Sequence, residues 1–171
     1  SAHHIICTYN ERGSWHLASL NTEARKLERI ETPYAEITYL RVSSGGVVFC
    51  AGSPTEPTSV IRFDLATRQL EALHRSSNIA IDAGYLSHPE ALEFPTEHGL
   101  TSHGFFYPPK NRGYIAPSGE RPPLLVKSHG GPTSATSTTL DLGIQYWTSH
   151  GIAVLDVNYG GSNGYSRAYR Q

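Results

Sequence analysis

One stretch of the chain has the pattern of a buried strand, a tight turn, a helix and a second buried strand. The first strand is predicted over Leu124–Ser128. The second is predicted over Ile152–Asn158, an almost continuous apolar run typical of a parallel sheet buried on both faces. Between them, Thr138–His150 is predicted to be a helix. Because parallel strands joined by a helix connect through a right-handed crossover, this stretch predicts an α/β unit.

The helix prediction rests on spacing and on end signals. Leu140, Ile144 and Trp147 recur at helical spacing and would form one apolar face. Thr138 with Asp141 has the pattern of a capping box, and Gly151 suits the position just after a helix. We therefore expect the helix to begin near Thr138 and to pack through that apolar face.

The turn after the first strand reads His129-Gly130-Gly131-Pro132. Two glycines allow backbone N–H groups to come close to a reacting atom, which is how an oxyanion hole is built. In α/β-hydrolases the loop after the third strand donates one such N–H, and His-Gly-Gly sequences mark that loop. The turn therefore points to acyl transfer, and the alternative is a tight turn without a ligand.

The first half of the chain is β in character. Its pattern is a meander of antiparallel strands, because short apolar runs recur between turn residues. A weak repeat aligns Trp15–Thr22 with Val60–Thr67 at an offset of about 45 residues, a period typical of propeller blades. Roughly one and a half blades would fit, whereas a propeller needs about four to eight. The alternative is the edge of a β-sandwich. The predicted strands are His4–Tyr9, Trp15–Leu20, Lys26–Ile30, Ile37–Val42, Gly46–Cys50, Val60–Leu65 and Gln69–His74.

Charge and cysteine usage exclude several classes of function. The 171 residues include 14 Lys and Arg against 15 Asp and Glu, so no basic field attracts nucleic acid or an anionic membrane. No apolar run approaches the roughly 20 residues of a membrane helix. Cys7 and Cys50 lack the spacing of a metal or redox site and are predicted to be buried free thiols. We expect no cofactor, no metal, no nucleic acid and no membrane partner.

The N-terminus has no signal-peptide pattern, which predicts a cytoplasmic protein. It also lacks a Met and opens directly into the strand-like run Ile5–Tyr9. We therefore expect the chain to be a piece of a longer protein.

An ordered set of motifs resembles a known family. The set looks like the acylaminoacyl-peptidase and dipeptidyl-aminopeptidase branch of the prolyl oligopeptidase family of serine peptidases. The resemblance covers residues 81–171 well, whereas residues 5–74 resemble only generically the last propeller blades of that family. Its motifs are Glu93–Gly99, Phe106–Asn111, His129–Pro132, Gln145–Trp147 and Val157–Tyr165.

The resemblance implies a mixed fold. Residues 1–82 would be the C-terminal part of a β-propeller, and residues 83–171 the N-terminal part of an α/β-hydrolase catalytic domain truncated before the nucleophile. It implies a fragment of a serine peptidase that cleaves short peptides with a Ser-Asp-His triad, itself inactive because the triad lies outside this chain. An esterase or lipase of the same fold is one alternative, and a non-catalytic propeller interaction module is another. Oligomeric state is left open.

The resemblance also assigns the site residues. The backbone N–H of Gly131 would be the first oxyanion donor, and the second would be the N–H after the nucleophile. Other branches of the family have a tyrosine in place of His129 whose hydroxyl contributes to the oxyanion hole. His129 would therefore either contribute to the oxyanion hole or contact substrate, or only brace the turn. It comes too early in the chain to be the triad base, since α/β-hydrolases follow the order Ser, Asp, His.

Ser162 has the sequence context of a nucleophile without its position in the fold. Gly160–Gly164 satisfies G-x-S-x-G after a strong strand. A nucleophile elbow, however, needs a further helix and strand beyond the oxyanion loop, and no Asp and His follow Ser162 in this chain. Ser162 is therefore predicted not to be the nucleophile. Asp156 precedes any acceptable nucleophile, so we predict a structural carboxylate satisfied by hydrogen bonds.

Overall fold

The structure is a computed structural model that describes residues 3–131 and 133–171. The strands of these residues form three sheets, and a helix connects two parallel strands of the third. A short helix lies near the C-terminal end, and 3₁₀ turns lie at Ala83–Tyr85 and Glu97–Gly99. The elements are β1 (His4–Glu11), β2 (Ser14–Asn21), β3 (Lys26–Ile30), β4 (Glu36–Ser43), β5 (Gly46–Ser53), β6 (Glu56–Asp64), β7 (Leu70–Arg75), β8 (Glu90–Pro95), β9 (Thr101–Tyr107), β10 (Leu124–Ser128), α1 (Leu142–Ser149), β11 (Ala153–Asn158) and α2 (Arg167–Arg170).

The first two sheets are antiparallel meanders that share one core. The first sheet has the order β1-β2-β3, and the second has the order β4-β5-β6-β7. Leu17 and Ile30 of the first sheet lie in the same buried cluster as Ile37, Phe49 and Phe63 of the second. The two sheets therefore pack against each other instead of forming separate units. The strands predicted for this half of the chain are confirmed.

The internal repeat is present but out of register with the predicted alignment. Asn21 Oδ1 accepts the N–H groups of the residues two and three positions later, at 3.0 and 2.9 Å. Asp64 Oδ1 does the same at 2.9 Å for both. Arg25 and Arg68, four residues after these turn residues, both have positive φ, at 50–60°. Asn21 therefore corresponds to Asp64 and not to Ala66, because the turn side chain and not the apolar pattern fixes the equivalence.

The third sheet is mixed, with the order β10-β11-β9-β8. β10 and β11 are parallel, with Leu124 opposite Ala153 and Ser128 opposite Val157, as predicted. β9 pairs antiparallel with both β11 and β8. Phe105, Tyr107, Ile144 and Val154 form the core between this sheet and α1.

The helix starts later than predicted. Asp141, not Thr138, is the N-cap residue, and its Oδ1 accepts the N–H groups of Gly143 at 2.8 Å and Ile144 at 3.3 Å. Leu140 lies before the N-cap, outside the helix, and its N–H donates to the carbonyl of Ser53 in the second sheet, at 2.8 Å. The predicted apolar face is therefore only partly correct, since Ile144 is buried as predicted but Leu140 lies outside the helix.

The buried face of α1 consists instead of Ile144, Gln145 and Thr148, while Trp147 is 41% exposed. Gly151 has φ +85° directly after the C-cap, as predicted. Cys7 and Cys50 are free thiols, but they are half-buried and not buried. None of the described helices is long and apolar enough to cross a membrane.

Candidate oxyanion turn and its supporting loop

The turn after β10 lies at the edge of the third sheet where the parallel strands β10 and β11 both end. Ligands of open α/β sheets bind at this edge. Gly131 has φ +75°, a conformation that glycine adopts without strain. A Cβ at position 131 would meet no described atom within 4 Å, so backbone geometry and not space favours glycine there. Pro132 of the predicted motif lies outside the described residues.

The Tyr159 side chain contacts the turn through both its hydroxyl and its ring. Its hydroxyl is within hydrogen-bonding distance of the carbonyl oxygens of His129, at 3.1 Å, and Gly131, at 2.9 Å. Its ring stacks on the His129 imidazole, with centroids 4.5 Å apart. Gly131 is exposed, and its N–H has no acceptor among residues 3–131 and 133–171. The turn is therefore fixed through its carbonyl groups and leaves that N–H open to a ligand.

The His129 side chain points to Ser162. Nε2 of His129 lies 2.7 Å from Ser162 Oγ, and Ser162 Oγ donates to the carbonyl of Tyr159 at 2.7 Å. A hydroxyl has only one hydrogen, so both bonds form together only when Nε2 carries a proton and donates it to Ser162. The imidazole then bridges the oxyanion turn to the loop after β11.

Ser162 and His129 have the separation of a catalytic dyad but not its surroundings. Ser162 is 0% exposed, so no substrate reaches its hydroxyl in this arrangement. The other imidazole nitrogen, Nδ1, lies 3.3 Å from the carbonyl of Gly130, where a triad would have a carboxylate. This burial agrees with the prediction that Ser162 is not the nucleophile.

The residues after the turn are tied to the end of β11. The Thr136 N–H donates to Asn158 Oδ1 at 2.8 Å, and the Thr136 hydroxyl donates to the Asp156 carboxylate. Asn163 donates its N–H to the carbonyl of Ser134 at 3.0 Å and its side-chain amide to that of Thr133. The individual roles of Asn158, Tyr159 and Asn163 were not predicted, although all three fall within the motif Val157–Tyr165.

A cluster of charged groups joins β10, β11 and the start of α1. Asp156 is 1% exposed, and its Oδ2 lies 3.3 Å from Lys127 Nζ, which is also 3.0 Å from Asp141. Burial alone would lower the pKa of Lys127, but the two carboxylates outweigh it and raise that pKa. Burial would raise the pKa of Asp141, but Lys127 and the helix N–H groups lower it overall. Burial, together with the charges of Asp156 and Asp141, raises the pKa of Tyr107.

The predicted structural role of Asp156 is only partly realised. Its Oδ2 receives the Thr136 hydroxyl and faces Lys127, whereas its Oδ1 has no hydrogen-bond partner among the described residues. The carboxylate therefore depends on the Lys127 charge, because a buried anion without a cation is strongly destabilising.

An aromatic cluster supports the far end of the loop after β11. His103 stacks on Tyr165 with centroids 4.1 Å apart, and burial raises the pKa of Tyr165. The Tyr165 hydroxyl accepts a hydrogen bond from Asn158 Nδ2 at 3.0 Å, and the Tyr169 hydroxyl donates to the Asn158 carbonyl. The loop is thereby held on β9. Within residues 3–131 and 133–171, no group of three or more His, Cys, Asp or Glu side chains is arranged to hold a metal ion.

Solved peptidase structures match nearly the whole of this chain. It is 42% identical to a puromycin-hydrolysing peptidase of Mycobacterium tuberculosis, with a TM-score of 0.87. It is 36% identical to a puromycin hydrolase, with a TM-score of 0.83. The chain belongs to the prolyl oligopeptidase family. The predicted family is thus confirmed, and this family member is homologous to serine peptidases.

This chain spans about a quarter of the length of these relatives. Each of the two matches covers 93% of this chain and 24% of the other. Pyrococcus horikoshii acylaminoacyl peptidase, at 21% identity and a TM-score of 0.69, shares the fold over 98% of this chain and 25% of its own. No family model and no curated protein matches the chain.

Proposed function

We propose that this chain supplies the first oxyanion donor of a serine peptidase that hydrolyses short peptides. The observation that carries the proposal is the exposed N–H of Gly131, which has no acceptor among the described residues and lies at the carboxyl ends of two parallel strands. Acyl transfer passes through a tetrahedral intermediate whose oxygen is negatively charged. A fixed N–H aimed at that oxygen stabilises the transition state more than the substrate.

The proposed domain division places residues 1–82 in the C-terminal part of a β-propeller and residues 83–171 in the N-terminal part of an α/β-hydrolase domain. A four-stranded antiparallel meander packed face to face on a three-stranded one supports the first assignment. A parallel pair of strands with a connecting helix supports the second. The nucleophile, the acid and the base would come from outside these residues, in a cytoplasmic enzyme.

In the proposed mechanism, a serine from outside this chain attacks the carbonyl carbon of the scissile bond. The carbonyl oxygen gains negative charge and accepts a hydrogen bond from the N–H of Gly131. The N–H after the nucleophile donates the second bond. His129 acts as a brace, because its Nε2 is engaged with the buried Ser162 and is not free to meet substrate.

The test removes the N–H of Gly131 without changing the side chain. In the full-length protein, the amide between Gly130 and Gly131 is replaced by an ester through incorporation of glycolic acid at position 131. Loss of one oxyanion donor typically lowers kcat about 10²–10³-fold. KM should change little, because the interaction forms fully only in the transition state.

Gly131→Ala is the matched control. This variant keeps the N–H, and its Cβ would lie within 4 Å of no described atom. It does, however, place a side chain at a backbone φ of +75°. Its kcat should therefore fall far less than that of the ester variant. Proline is unsuitable, because its fixed φ near −65° cannot reproduce this turn. An ester variant that melts like the parent and keeps the parental kcat would contradict the proposal.

The identity to two puromycin-hydrolysing proteins suggests one substrate to assay beside short peptides. We propose that the full-length protein also cleaves puromycin. Release of the amino nucleoside, followed by chromatography, gives the rate directly. Cleavage of short peptides without any cleavage of puromycin would restrict the proposal to peptides.

A further inference from the structure

The residues that connect the oxyanion turn to α1 are held by two different sheets. These residues, 133–141, are called the link segment here. Its first half is attached to the third sheet, through Thr136 to Asn158, and to the loop after β11, through the carbonyls of Thr133 and Ser134 to Asn163. Its second half is attached to the second sheet, in the other half of the chain.

Glu36, the first residue of β4, makes the principal contact. Its Oε2 accepts hydrogen bonds from the Ser137 hydroxyl at 2.6 Å and the Thr139 hydroxyl at 3.0 Å. The Thr139 N–H donates to Ser137 Oγ at 3.1 Å, so the two hydroxyl residues form one compact turn around a single carboxylate oxygen. All three residues are half-buried. Hydrogen bonds to a charged acceptor are roughly twice as strong as neutral ones.

The backbone of β5 completes the contact. The Leu140 N–H donates to the Ser53 carbonyl at 2.8 Å. Gly52 lies so close to the Thr139 side chain that a Cβ at position 52 would overlap with it. The second half of the link segment therefore packs against the start of β4 and the end of β5.

Adjacent residues are thus anchored to different sheets. Thr136 is fixed by Asn158 and Asp156 of the third sheet, whereas Ser137 is fixed by Glu36 of the second. The turn that carries the Gly131 N–H precedes Thr136 by only five residues.

We propose that Glu36 is a positioning residue for the oxyanion turn. Its carboxylate fixes Ser137 and Thr139 and, through the link segment, the direction of the Gly131 N–H. One antiparallel sheet of the first half then sets the geometry of a group that acts on the substrate. The proposal rests on the proposed function of Gly131.

The first experiment compares three variants of the full-length protein. Glu36→Ala removes the acceptor of both hydroxyl groups and should lower kcat about tenfold with KM within about twofold, because small misplacements of a reacting group are costly. Glu36→Gln keeps an amide oxygen that can accept both bonds and should retain nearly the parental kcat. Glu31→Ala is the matched control, since Glu31 is exposed and its one ion pair among the described residues is with Arg29, at 3.2 Å.

All rates are divided by the concentration of active sites, titrated with an active-serine phosphonate. This correction separates positioning from stability, because a residue that only stabilises the fold would reduce the number of active sites and leave kcat per site unchanged. Parental kcat per site in Glu36→Ala would overturn the proposal. So would a loss in Glu36→Ala that Glu36→Gln shows equally.

The second experiment combines Glu36→Ala with the ester at Gly131. If Glu36 acts through that N–H, its replacement should have a much smaller effect once the N–H is absent, since coupled residues are not additive. Equal losses in both backgrounds would overturn the role of Glu36. If the ester alone leaves kcat unchanged, the proposed function of Gly131 fails. If the ester lowers kcat and Glu36→Ala does not, only the role of Glu36 fails.

Discussion

At the scale of single residues, Tyr159 contributes two separate interactions to the turn. Its hydroxyl approaches two carbonyl oxygens, and its ring stacks on His129. The two contributions can be separated by substitution, because phenylalanine keeps the ring and removes only the hydroxyl. The hydroxyl fixes the turn, whereas the ring places the imidazole toward Ser162.

We therefore predict that Tyr159→Phe lowers kcat of the full-length protein severalfold with little change in KM. The unfolding free energy should fall by about 1 kcal/mol, the typical net contribution of one hydrogen bond. Steady-state kinetics and urea unfolding measure the two effects. An unchanged kcat in a variant with the expected loss of stability would show that the hydroxyl supports the fold and not the turn.

Ser162 gives a second prediction at this scale. Ser162→Ala in the full-length protein should keep stoichiometric labelling by an active-serine phosphonate, because the buried hydroxyl is not the nucleophile. Stability should fall by about 1–3 kcal/mol, since the half-buried His129 imidazole and Tyr159 carbonyl each lose a hydrogen-bond partner. Ser149→Ala, which removes an exposed hydroxyl, is the control. Loss of the label in Ser162→Ala alone would make Ser162 the nucleophile.

At the scale of secondary structure, Asp141 connects the start of α1 to Lys127 of β10. Its Oδ1 caps the helix, and its Oδ2 pairs with Lys127 at 3.0 Å. Asparagine caps helices about as well as aspartate but carries no charge. The variants Asp141→Asn and Asp141→Ala therefore separate the cap from the ion pair.

We predict that Asp141→Ala is less stable than Asp141→Asn by about 1 kcal/mol, the usual value of an N-cap. The folded pKa of Asp141 is lowered, mainly by Lys127 against the opposing effect of burial. The carboxylate therefore stabilises the fold above its unfolded pKa of about 4. That contribution is lost as the pH falls through the lower folded value. The melting-temperature difference between parent and Asp141→Asn should be constant near neutral pH and shrink below about pH 4.

Equal losses of stability in Asp141→Ala and Asp141→Asn would contradict the capping role of Asp141. A melting-temperature difference between parent and Asp141→Asn that does not change with pH would contradict the ion pair. The full-length protein is used for both measurements.

At the scale of the whole molecule, the strand β10 leaves apolar surface uncovered. Leu124 is 53% exposed and Val126 is 60% exposed on an edge strand of the third sheet. Exposed apolar edge strands pair with other chains. We predict that the isolated 171-residue chain associates in solution and shows no turnover of peptide or puromycin.

Light scattering and size-exclusion chromatography measure the association, and Val126→Lys should reduce it because charge on an edge strand opposes pairing. A monodisperse monomer with a sharp melting transition would contradict the prediction. Measurable turnover that Ser162→Ala abolishes would contradict both this prediction and the one for Ser162.

The sequence by itself determined the elements and the turn. Apolar periodicity placed the strands of the first two sheets and the parallel pair β10 and β11, because each signal lies within a few neighbouring residues. The adjacent glycines at 130 and 131 likewise marked the turn, since the need for positive φ at Gly131 is local. The start of α1 was predicted wrongly, because Thr138 and Asp141 are both suitable N-cap residues in sequence and only Asp141 caps the helix.

Only the tertiary structure decided which side chains hold the site. Ser162 meets His129 across 33 positions, and Glu36 meets Ser137 across 101. No periodicity or motif encodes such pairs, because each forms only when separate sheets have packed. The sequence therefore fixes where the N–H of Gly131 occurs along the chain, whereas the packing of the sheets fixes where it points.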